Sequence, residues 1–229
     1  MTDTLTLPKV LVGAPCGKQP VFRDFFLAFY TALVPDARSS NMIAAGGSVP
    51  KNLNLLVDEA VRQECTHLFI VEDDSVFEAD TILRLLAHDK PVVAGLCRQR
   101  NPPFLPYVYA GIDLEQGTMS WRTLMPKDTG LIGPADGVVA TGMGGILINM
   151  AVFTKLERPY FRHYFIGERE CGQDIVFARS LIDAGIEVWC DLDVTIWHMT
   201  QCVIGSVREA DGWRAVVRID DAAFNIKVD

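Results

Sequence analysis

The chain lacks the marks of a membrane or secreted protein. None of its apolar runs approaches the roughly 20 residues that a membrane-spanning helix needs. Its first residues, 1–4, do not form the basic start of a secretory leader, and no apolar leader core follows them. Internal repeats and low-complexity segments are also absent. We therefore expect a folded cytoplasmic protein without a membrane span.

The chain has fewer basic residues than acidic ones. The 21 Lys and Arg residues face 29 Asp and Glu residues, which gives a net charge of −8. Because contacts to phosphate backbones need Lys and Arg, we do not expect non-specific binding to nucleic acid or to anionic membranes. A local basic patch remains compatible with this balance, and Arg98 and Arg100 are the candidates for it.

Cysteine pairs typical of zinc sites are missing as well. None of the six cysteines belongs to a CxxC pair, and their spacings match no zinc site. Without an export signal, we expect free and mostly buried thiols. Cys16 falls in a predicted loop, where it is either reactive or packed, and packing is the commoner role of a cysteine.

What the chain does contain is a regular alternation in its first hundred residues. Short apolar runs predict strands at 9–15, 38–45, 68–71 and 91–96, and helical spacing of apolar residues predicts helices at 21–34, 49–61 and 79–88. Alternating strands and helices predict an α/β fold with a parallel, doubly wound sheet. A length of 229 residues with 49% hydrophobic residues suits one large domain or two small ones.

The pattern changes after Arg100. Short strand-like pieces appear at 107–110 and 119–124, a Gly- and Pro-rich stretch at 127–137, two apolar runs separated by glycines at 138–149, helices at 151–156 and 173–184, and a strand at 186–190. The tail, 202–229, alternates as β structure does and predicts an edge hairpin or an oligomer contact.

Three adjacent carboxylates, Glu72, Asp73 and Asp74, follow the apolar run Leu68–Val71. Open α/β sheets bind ligands outside the carboxyl ends of their strands. Adjacent carboxylates repel one another, and a divalent cation with a preference for oxygen ligands would explain the cluster. A solvated acidic loop, or acids stabilised by a helix N-terminus, is the alternative.

Other candidate groups lie farther along the chain. Glycines interrupt the apolar runs around Gly144 and Gly145, which permits a close approach of the backbone. Asp174 opens a predicted helix, so it either stabilises the helix dipole or acts as a general base. His198 comes just past a predicted strand, and it is either a packed histidine or a metal ligand.

Taken in order, these motifs resemble a GT-A glycosyltransferase of the family 2 type. The resemblance covers residues 9–200 and rests on three segments, Leu68–Ile82, Thr141–Asn149 and Gly172–Gly185 followed by His198. It implies a GT-A (Rossmann-like), mostly parallel sheet flanked by helices, with a small C-terminal β extension. It also implies a GT-A domain over 1–201, with a nucleotide-binding half at about 9–100 and an acceptor half at about 101–201, and an extension at 202–229.

The resemblance also implies roles for individual residues. Asp74, His198 and Glu72 would hold Mn²⁺ or Mg²⁺, although Glu72 stands where the family has its first aspartate and is also placed to contact ribose or a metal-bound water. The nucleotide-diphosphate sugar would be bound by Ala14, Pro15, Glu72, Asp73, Arg98 and Arg100. The acceptor would meet Gly144, Gly145 and Gln173, where Gln173 replaces the usual glutamate. Asp174 keeps the position of the family's catalytic base.

The implied activity is metal-dependent transfer of a sugar to a hydroxyl acceptor, with inversion if Asp174 is the base and retention as the alternative if it lies far from the acceptor. A nucleotidyltransferase is a rival, but that class usually has a Gly- and Lys/Arg-rich loop after its first strand. Residues 15–20 contain a single glycine and a single lysine. A non-catalytic nucleotide-sugar binding module is the second rival, and a homo-oligomer is compatible with all three.

Overall fold

A computed structural model describes residues 6–17, 23–113, 115–166, 168–209, 212–219 and 222–226. Its strands are β1 (Val10–Pro15), β2 (Ser40–Ala44), β3 (His67–Ile70), β4 (Ser75–Phe77), β5 (Val92–Cys97), β6 (Val108–Asp113), β7 (Thr118–Trp121), β8 (Leu131–Ile132), β9 (Ala140–Thr141), β10 (Ile146–Asn149), β11 (Tyr164–Ile166), β12 (Arg169–Cys171), β13 (Val188–His198), β14 (Val203–Glu209), β15 (Gly212–Ile219) and β16 (Ala222–Ile226). Its α-helices are α1 (Arg23–Thr31), α2 (Val49–Arg62), α3 (Thr81–Leu86) and α4 (Gln173–Asp183), and two 3₁₀ helices span Pro134–Asp136 and Met150–Lys155.

Eight strands form the main sheet, in the order β2-β1-β3-β10-β5-β13-β4, with β8 paired beside β13. Strands β1, β2 and β3 are mutually parallel, and β13 runs parallel to β5. Strand β10 lies antiparallel between β3 and β5, with Ile146 opposite both Ile70 and Ala94. Smaller sheets are formed by β7-β6-β9, by β11-β12 and by the C-terminal β14-β15-β16. The α/β class, with a mostly parallel sheet and a C-terminal β extension, is therefore confirmed.

Helices cover both faces of the main sheet, which explains why its inner strands are continuously apolar. In β3, Leu68 and Ile70 join the core under α2 and α4, while Phe69 and the following Val71 join the core under α1 and α3. All four side chains are fully buried. The prediction of a strand buried on both faces is confirmed.

The two longest helices match their sequence patterns closely. Helix α2 has Pro50 in its first turn, where a missing N–H costs nothing. Helix α4 ends at Asp183, and Gly185 follows with a left-handed φ of 64°. Helix α1 is shorter than the predicted 21–34, and residues 21 and 22 of that prediction lie outside the described part of the chain.

Two predictions from the second half need correction. Strand β13 extends to His198, well beyond the predicted 186–190, so His198 ends a strand rather than following one. A register shift between Asp191 and Thr195 interrupts its pairing with β5, and polar residues at this bulge disguise the strand in the sequence. The tail forms a three-stranded meander rather than a hairpin, and Phe224 on β16 contacts the Phe104 ring at 5.8 Å between centroids.

All six cysteines are free, and five of them are buried, as the sequence predicts; Cys202 is exposed. Among the described residues, no helix has the length and apolar character needed to cross a membrane.

Candidate metal centre and its surroundings

The carboxyl ends of two parallel-running strands bring the acidic cluster and the histidine together. Glu72 and Asp74 follow β3, and His198 is the last residue of β13. Strand β4 pairs antiparallel with β13 and places Ser75 opposite His198. The Met199 N–H donates to the Asp74 carbonyl at 2.7 Å, so backbone pairing fixes Asp74 next to the end of β13.

Glu72, Asp74 and His198 form a compact set of metal-ligand atoms. The His198 Nε2 lies 3.2 Å from Asp74 Oδ2 and 3.9 Å from Glu72 Oε2. One ligand atom from each of the three residues lies within 4.8 Å of the other two. Two carboxylates and an imidazole suit Mn²⁺ well and Mg²⁺ less closely, since Mg²⁺ prefers an all-oxygen shell. The residues present therefore fit the cation that the sequence predicts.

A backbone contact orients the histidine toward the carboxylates. The His198 Nδ1 lies 3.0 Å from the Arg98 carbonyl oxygen. Donation of an Nδ1–H to that carbonyl leaves Nε2 directed at Asp74 and Glu72, which is the usual arrangement of a metal-binding histidine. The side chain keeps only 7% of its surface exposed, which restricts other orientations.

Opposite charges and burial alter the ionisation of the cluster. Burial lowers the pKa of His198, but its hydrogen bonds to Asp74 and Cys97 and the charge of Asp74 outweigh burial and raise it to about 10. Burial likewise raises the pKa of Asp74, whereas the His198 hydrogen bond and the charges of His198 and Arg100 bring it below its ordinary value. The pKa of Glu72 is raised to about 7 by burial and by the negative charge of Asp74. The histidine thus supplies the positive charge that balances Asp74.

The two arginines proposed for the donor phosphates have different surroundings. Arg100 Nη1 lies 2.7 Å from Asp74 Oδ2, and its side chain remains 53% exposed. Arg98 instead donates from Nη1 to the Phe104 carbonyl oxygen at 3.1 Å and so braces its own loop. Both side chains are exposed, and phosphate contact stays a prediction for both residues.

The loop after β1 is tied to the acidic cluster and to α2. Asp73 accepts a hydrogen bond from the Gly17 N–H at 3.0 Å. Asn52, which is fully buried, donates from Nδ2 to the Cys16 carbonyl oxygen at 3.0 Å. The sequence does not mark Asn52 as a functional residue, because a lone Asn inside a helix carries no local signal. Burial and the charge of Asp73 raise the pKa of Cys16 to about 12, which favours the packed role for this thiol.

The remaining two donor-site candidates lie at the end of β1. The Ala14 side chain is fully buried in the core under α1 and α3. Pro15 is the last residue of β1 and pairs with Ala44 of β2. Any contact of Ala14 with a ligand would therefore involve its backbone, and the donor-binding role of both residues stays a prediction.

The glycine turn before β10 packs directly against the cluster. A Cβ on Gly144 would lie 3.4 Å from Glu72 Oε2. Gly145 has a φ of 81°, and a Cβ there would come within 2.4 Å of Ile196. The Gly145 N–H also donates to the Ile70 carbonyl oxygen at 3.0 Å. Close packing thus accounts for Gly145, whereas a Cβ on Gly144 would make only ordinary contacts. The contact of both glycines with an acceptor stays a prediction.

Asp174 lies in the first turn of α4, next to the half-buried Gln173. Burial raises the pKa of Asp174, although the hydrogen bonds from the backbone N–H groups of Ile175 and of Asp174 itself oppose that effect. A Cβ on Gly172 would lie 2.5 Å from Asp174 Oδ1, so the carboxylate rests against the bare Cα of that glycine. The negative charge of Asp174 contributes to the raised pKa of Glu72, which indicates that the two groups interact.

Three aromatic residues at the small β7-β6-β9 sheet, Tyr107, Tyr109 and Trp121, lie beside the metal-ligand cluster. The Tyr107 ring lies 6.2 Å from the His198 ring and 6.0 Å from the Trp121 ring, and Tyr109 lies 4.8 Å from Trp121. Burial, followed by the charge of Glu72, raises the pKa of Tyr107 to about 12. From the sequence, these aromatics either stack on sugar rings or pack in the core, and packing is the commoner role. Their approach to His198 depends on strand pairing and has no signal in the sequence.

The comparisons with known proteins bear on the fold. No protein-family model matches the sequence. No curated protein matches it either. Among solved structures, A197 from STIV overlays with a TM-score of 0.58 at 16% identity, over 84% of this chain and 86% of that chain. A structure of GalNAc-T7 with UDP, GalNAc and Mn²⁺ overlays with a TM-score of 0.60 at 10% identity, over 86% of this chain.

This chain spans 45% of the GalNAc-T7 chain. The inositol-1-phosphate CTP transferase from T. maritima overlays with a TM-score of 0.40 at 11% identity, over 70% of this chain and 60% of that chain, which is too weak to bear on the fold. The stronger likenesses agree with a GT-A-like architecture.

Proposed function

We propose that this protein is a metal-dependent glycosyltransferase that moves a sugar from a nucleotide-diphosphate sugar to a hydroxyl acceptor. The observation that carries the proposal is the convergence of Glu72, Asp74 and His198 at the carboxyl edge of a GT-A-like sheet. The structural neighbour GalNAc-T7, solved with UDP, GalNAc and Mn²⁺, supports the same class of donor and cation.

Asp74 and His198 would hold Mn²⁺ or Mg²⁺, with Glu72 as a third ligand or as a contact to the ribose. When bound, the cation neutralises negative charge that develops on the leaving diphosphate. Arg100, which already reaches Asp74 Oδ2, would turn its remaining N–H donors to a phosphate oxygen. Asp73, Ala14 and Pro15 would border the nucleoside, with Arg98 bracing the loop that carries Arg100.

Asp174 would accept the proton of the acceptor hydroxyl as that oxygen attacks the anomeric carbon. Its burial favours this role, because a carboxylate with a raised pKa is a stronger base than an exposed one. In-line attack on the face opposite the diphosphate gives inversion. Gly144, Gly145 and Gln173 would shape the acceptor side.

Calorimetry with a panel of nucleoside diphosphates tests the metal centre. We expect binding with Mn²⁺ and a loss of more than about tenfold in affinity in EDTA, which removes the cation, or in Asp74→Asn, which removes one of its ligands. Glu78→Gln changes an exposed acid four residues away and should bind as the wild type does. Equal binding with and without Mn²⁺ would remove the metal role.

Product analysis tests the reaction class. Incubation with nucleotide-sugars should release a nucleoside diphosphate, and Asp174→Asn should lose about 10²-fold or more of this activity while it still binds donor. Pyrophosphate release would point to nucleotidyl transfer instead. Full activity of Asp174→Asn would refute the base assignment.

A further inference from the structure

A small cavity lies behind Asp174, on the side of α4 that faces β9 and β10. Its volume is about 10 Å³, which is near the minimum that holds one water molecule. Its walls are Ala140, Thr141, Met143, Ile146, Asp174, Phe177, Ala178, Leu181 and Val188. Thr141 and Asp174 are the only polar side chains among these lining residues, so any polar occupant would contact those two.

Thr141, which lines this cavity, carries an unpartnered hydroxyl. The residue keeps only 6% of its surface exposed, and its Oγ1 has no hydrogen-bond partner. Thr141 stands opposite Val108 where β9 pairs with β6. This pairing uses backbone groups and does not involve the Thr141 hydroxyl. A buried hydroxyl is nearly always hydrogen-bonded, which makes an unpartnered one a sign of an internal water.

Asp174 offers the second partner. Two backbone N–H groups at the start of α4 donate to its carboxylate, which leaves acceptor positions free because a carboxylate has about four. A water in the cavity can donate one hydrogen to Asp174 and exchange a second hydrogen bond with Thr141 Oγ1. That arrangement satisfies both groups with a single molecule.

We propose that Thr141 is a positioning residue for Asp174, acting through one internal water that bridges Thr141 Oγ1 and the Asp174 carboxylate. The inference rests on the proposed function, in which Asp174 is the catalytic base. The water, in the cavity between the two residues, fixes the orientation of the Asp174 carboxylate and donates a hydrogen bond to its ionised form. The hydroxyl of Thr141 holds the water against an otherwise apolar wall.

The experiment compares Thr141→Val, which removes the hydroxyl at constant shape, with Thr141→Ser, which keeps it. The titration of Asp174 is followed without substrate by NMR of ¹³C-labelled aspartate carboxyls, with the Asp174 signal identified by its absence in Asp174→Asn. Glu72, Tyr107 and Tyr109 are the other titratable groups coupled to Asp174, and both variants leave them in place.

We expect Thr141→Val to raise the pKa of Asp174 and to lower kcat for donor turnover about tenfold at unchanged donor KM, since a hydrogen bond to a charged group is lost. Thr141→Ser should keep both values near those of the wild type. If Thr141→Val fails to fold, Thr141→Ala removes the same hydroxyl with less bulk in the strand.

An Asp174 pKa in Thr141→Val equal to that of the wild type would overturn the inference. This result is distinguishable from failure of the proposed function, which appears as full activity of Asp174→Asn. A raised pKa with unchanged kcat would also overturn it, because the water would then have no part in positioning the base.

Discussion

At the scale of single residues, the buried position of Asp174 lowers the stability of the fold. Burial raises its pKa, so the folded state holds its proton more tightly than the unfolded state does. The ionised carboxylate therefore destabilises the fold at neutral pH, and this penalty vanishes below the ordinary aspartate value of 3.8, where both states are protonated. A buried carboxylate of this kind is typical of active sites, where function and stability conflict.

We predict that Asp174→Asn has a higher melting temperature than the wild type at pH 7.5, by a few degrees, because the variant removes a buried charge. The difference should shrink toward pH 4. Asp183→Asn, in the last turn of the same helix, loses an exposed ion pair with Arg179 and should not gain stability. A melting temperature of Asp174→Asn at or below that of the wild type at pH 7.5 would contradict the burial argument.

In the proposed role of Asp174 as the base, the same raised pKa would set the acid limit of activity. Only ionised Asp174 can accept a proton, so donor turnover should fall as pH drops through a value above 3.8. The measurement is kcat against pH at saturating donor and Mn²⁺. An acid limb at or below the ordinary aspartate value would show that another group limits the reaction.

Gly172→Ala should displace the Asp174 carboxylate without changing Asp174 itself. A Cβ at position 172 would meet Asp174 Oδ1 at 2.5 Å, and the end of a side chain can shift where backbone cannot. Gly172→Ala should lower turnover about tenfold or more, since small displacements of a base are costly, with little change in melting temperature. Gly205→Ala, on β14 with no heavy atom within 4 Å of its added Cβ, is the control and should retain activity.

At the scale of elements, the antiparallel strand β10 is what joins the glycine turn to the acidic cluster. Its N-terminal end lies at the carboxyl ends of β3 and β5, because it runs opposite to both. Gly145 passes under Ile196 of β13 at this point, with a left-handed backbone. Close packing of three strands therefore depends on one residue without a side chain.

Gly145→Ala should destabilise the fold by about 2–4 kcal/mol, the sum of a left-handed alanine and overpacking against Ile196. Gly137→Ala is a matched control, because Gly137 has a similar φ of 78° but no heavy atom within 4 Å of an added Cβ. It should lose only about 1 kcal/mol, the left-handed penalty alone. Urea unfolding measures the free energy of unfolding of both variants. Equal losses would show that the Ile196 side chain moves aside without a loss of stability.

Elements differ in how much of them the sequence predicts. Helices α2 and α4 and strand β3 follow from local patterns. Each helix has an apolar stripe with a Pro or Gly near one end, and β3 is an apolar run followed directly by carboxylates. Strand β4 and the second half of β13 do not, because they are short or polar and become strands only through pairing, with each other and, for β13, also with β5. The missed elements are the ones that hold His198 against Asp74.

At the scale of the whole molecule, three carboxylates paired with arginines connect stability to pH. Hydrogen bonds from Arg38, Arg62 and Arg122 hold the pKa values of their partners, Asp36, Glu59 and Asp128, at about 2. Their ordinary values are 3.8 for Asp and 4.5 for Glu. Depressed pKa values contribute stability that is present above the ordinary values and is lost as pH falls through about 2.

We predict that the melting temperature falls progressively below about pH 4.5 at low salt. The fall should be smaller in 1 M NaCl, because the Arg38 and Arg62 side chains are exposed and salt screens ion pairs that reach solvent. Thermal melts from pH 6 to 2.5 at both salt concentrations make the comparison. An identical fall at both concentrations would mean that these pairs add nothing to stability.

The sequence by itself determined the α/β class, the buried strands, the residue types of the candidate site and their order along the chain. These follow from local hydrophobic periodicity and from carboxylates placed directly after an apolar run. It also supplied the resemblance from which Asp174 and His198 gained their proposed roles.

Only the tertiary structure decided the distances among Glu72, Asp74 and His198, the orientation of the imidazole by the Arg98 carbonyl, and the cavity shared by Thr141 and Asp174. Each of these depends on pairing or packing between residues far apart in the chain. Such contacts leave no periodic signal in a single sequence, because local propensity does not specify which strand lies beside which.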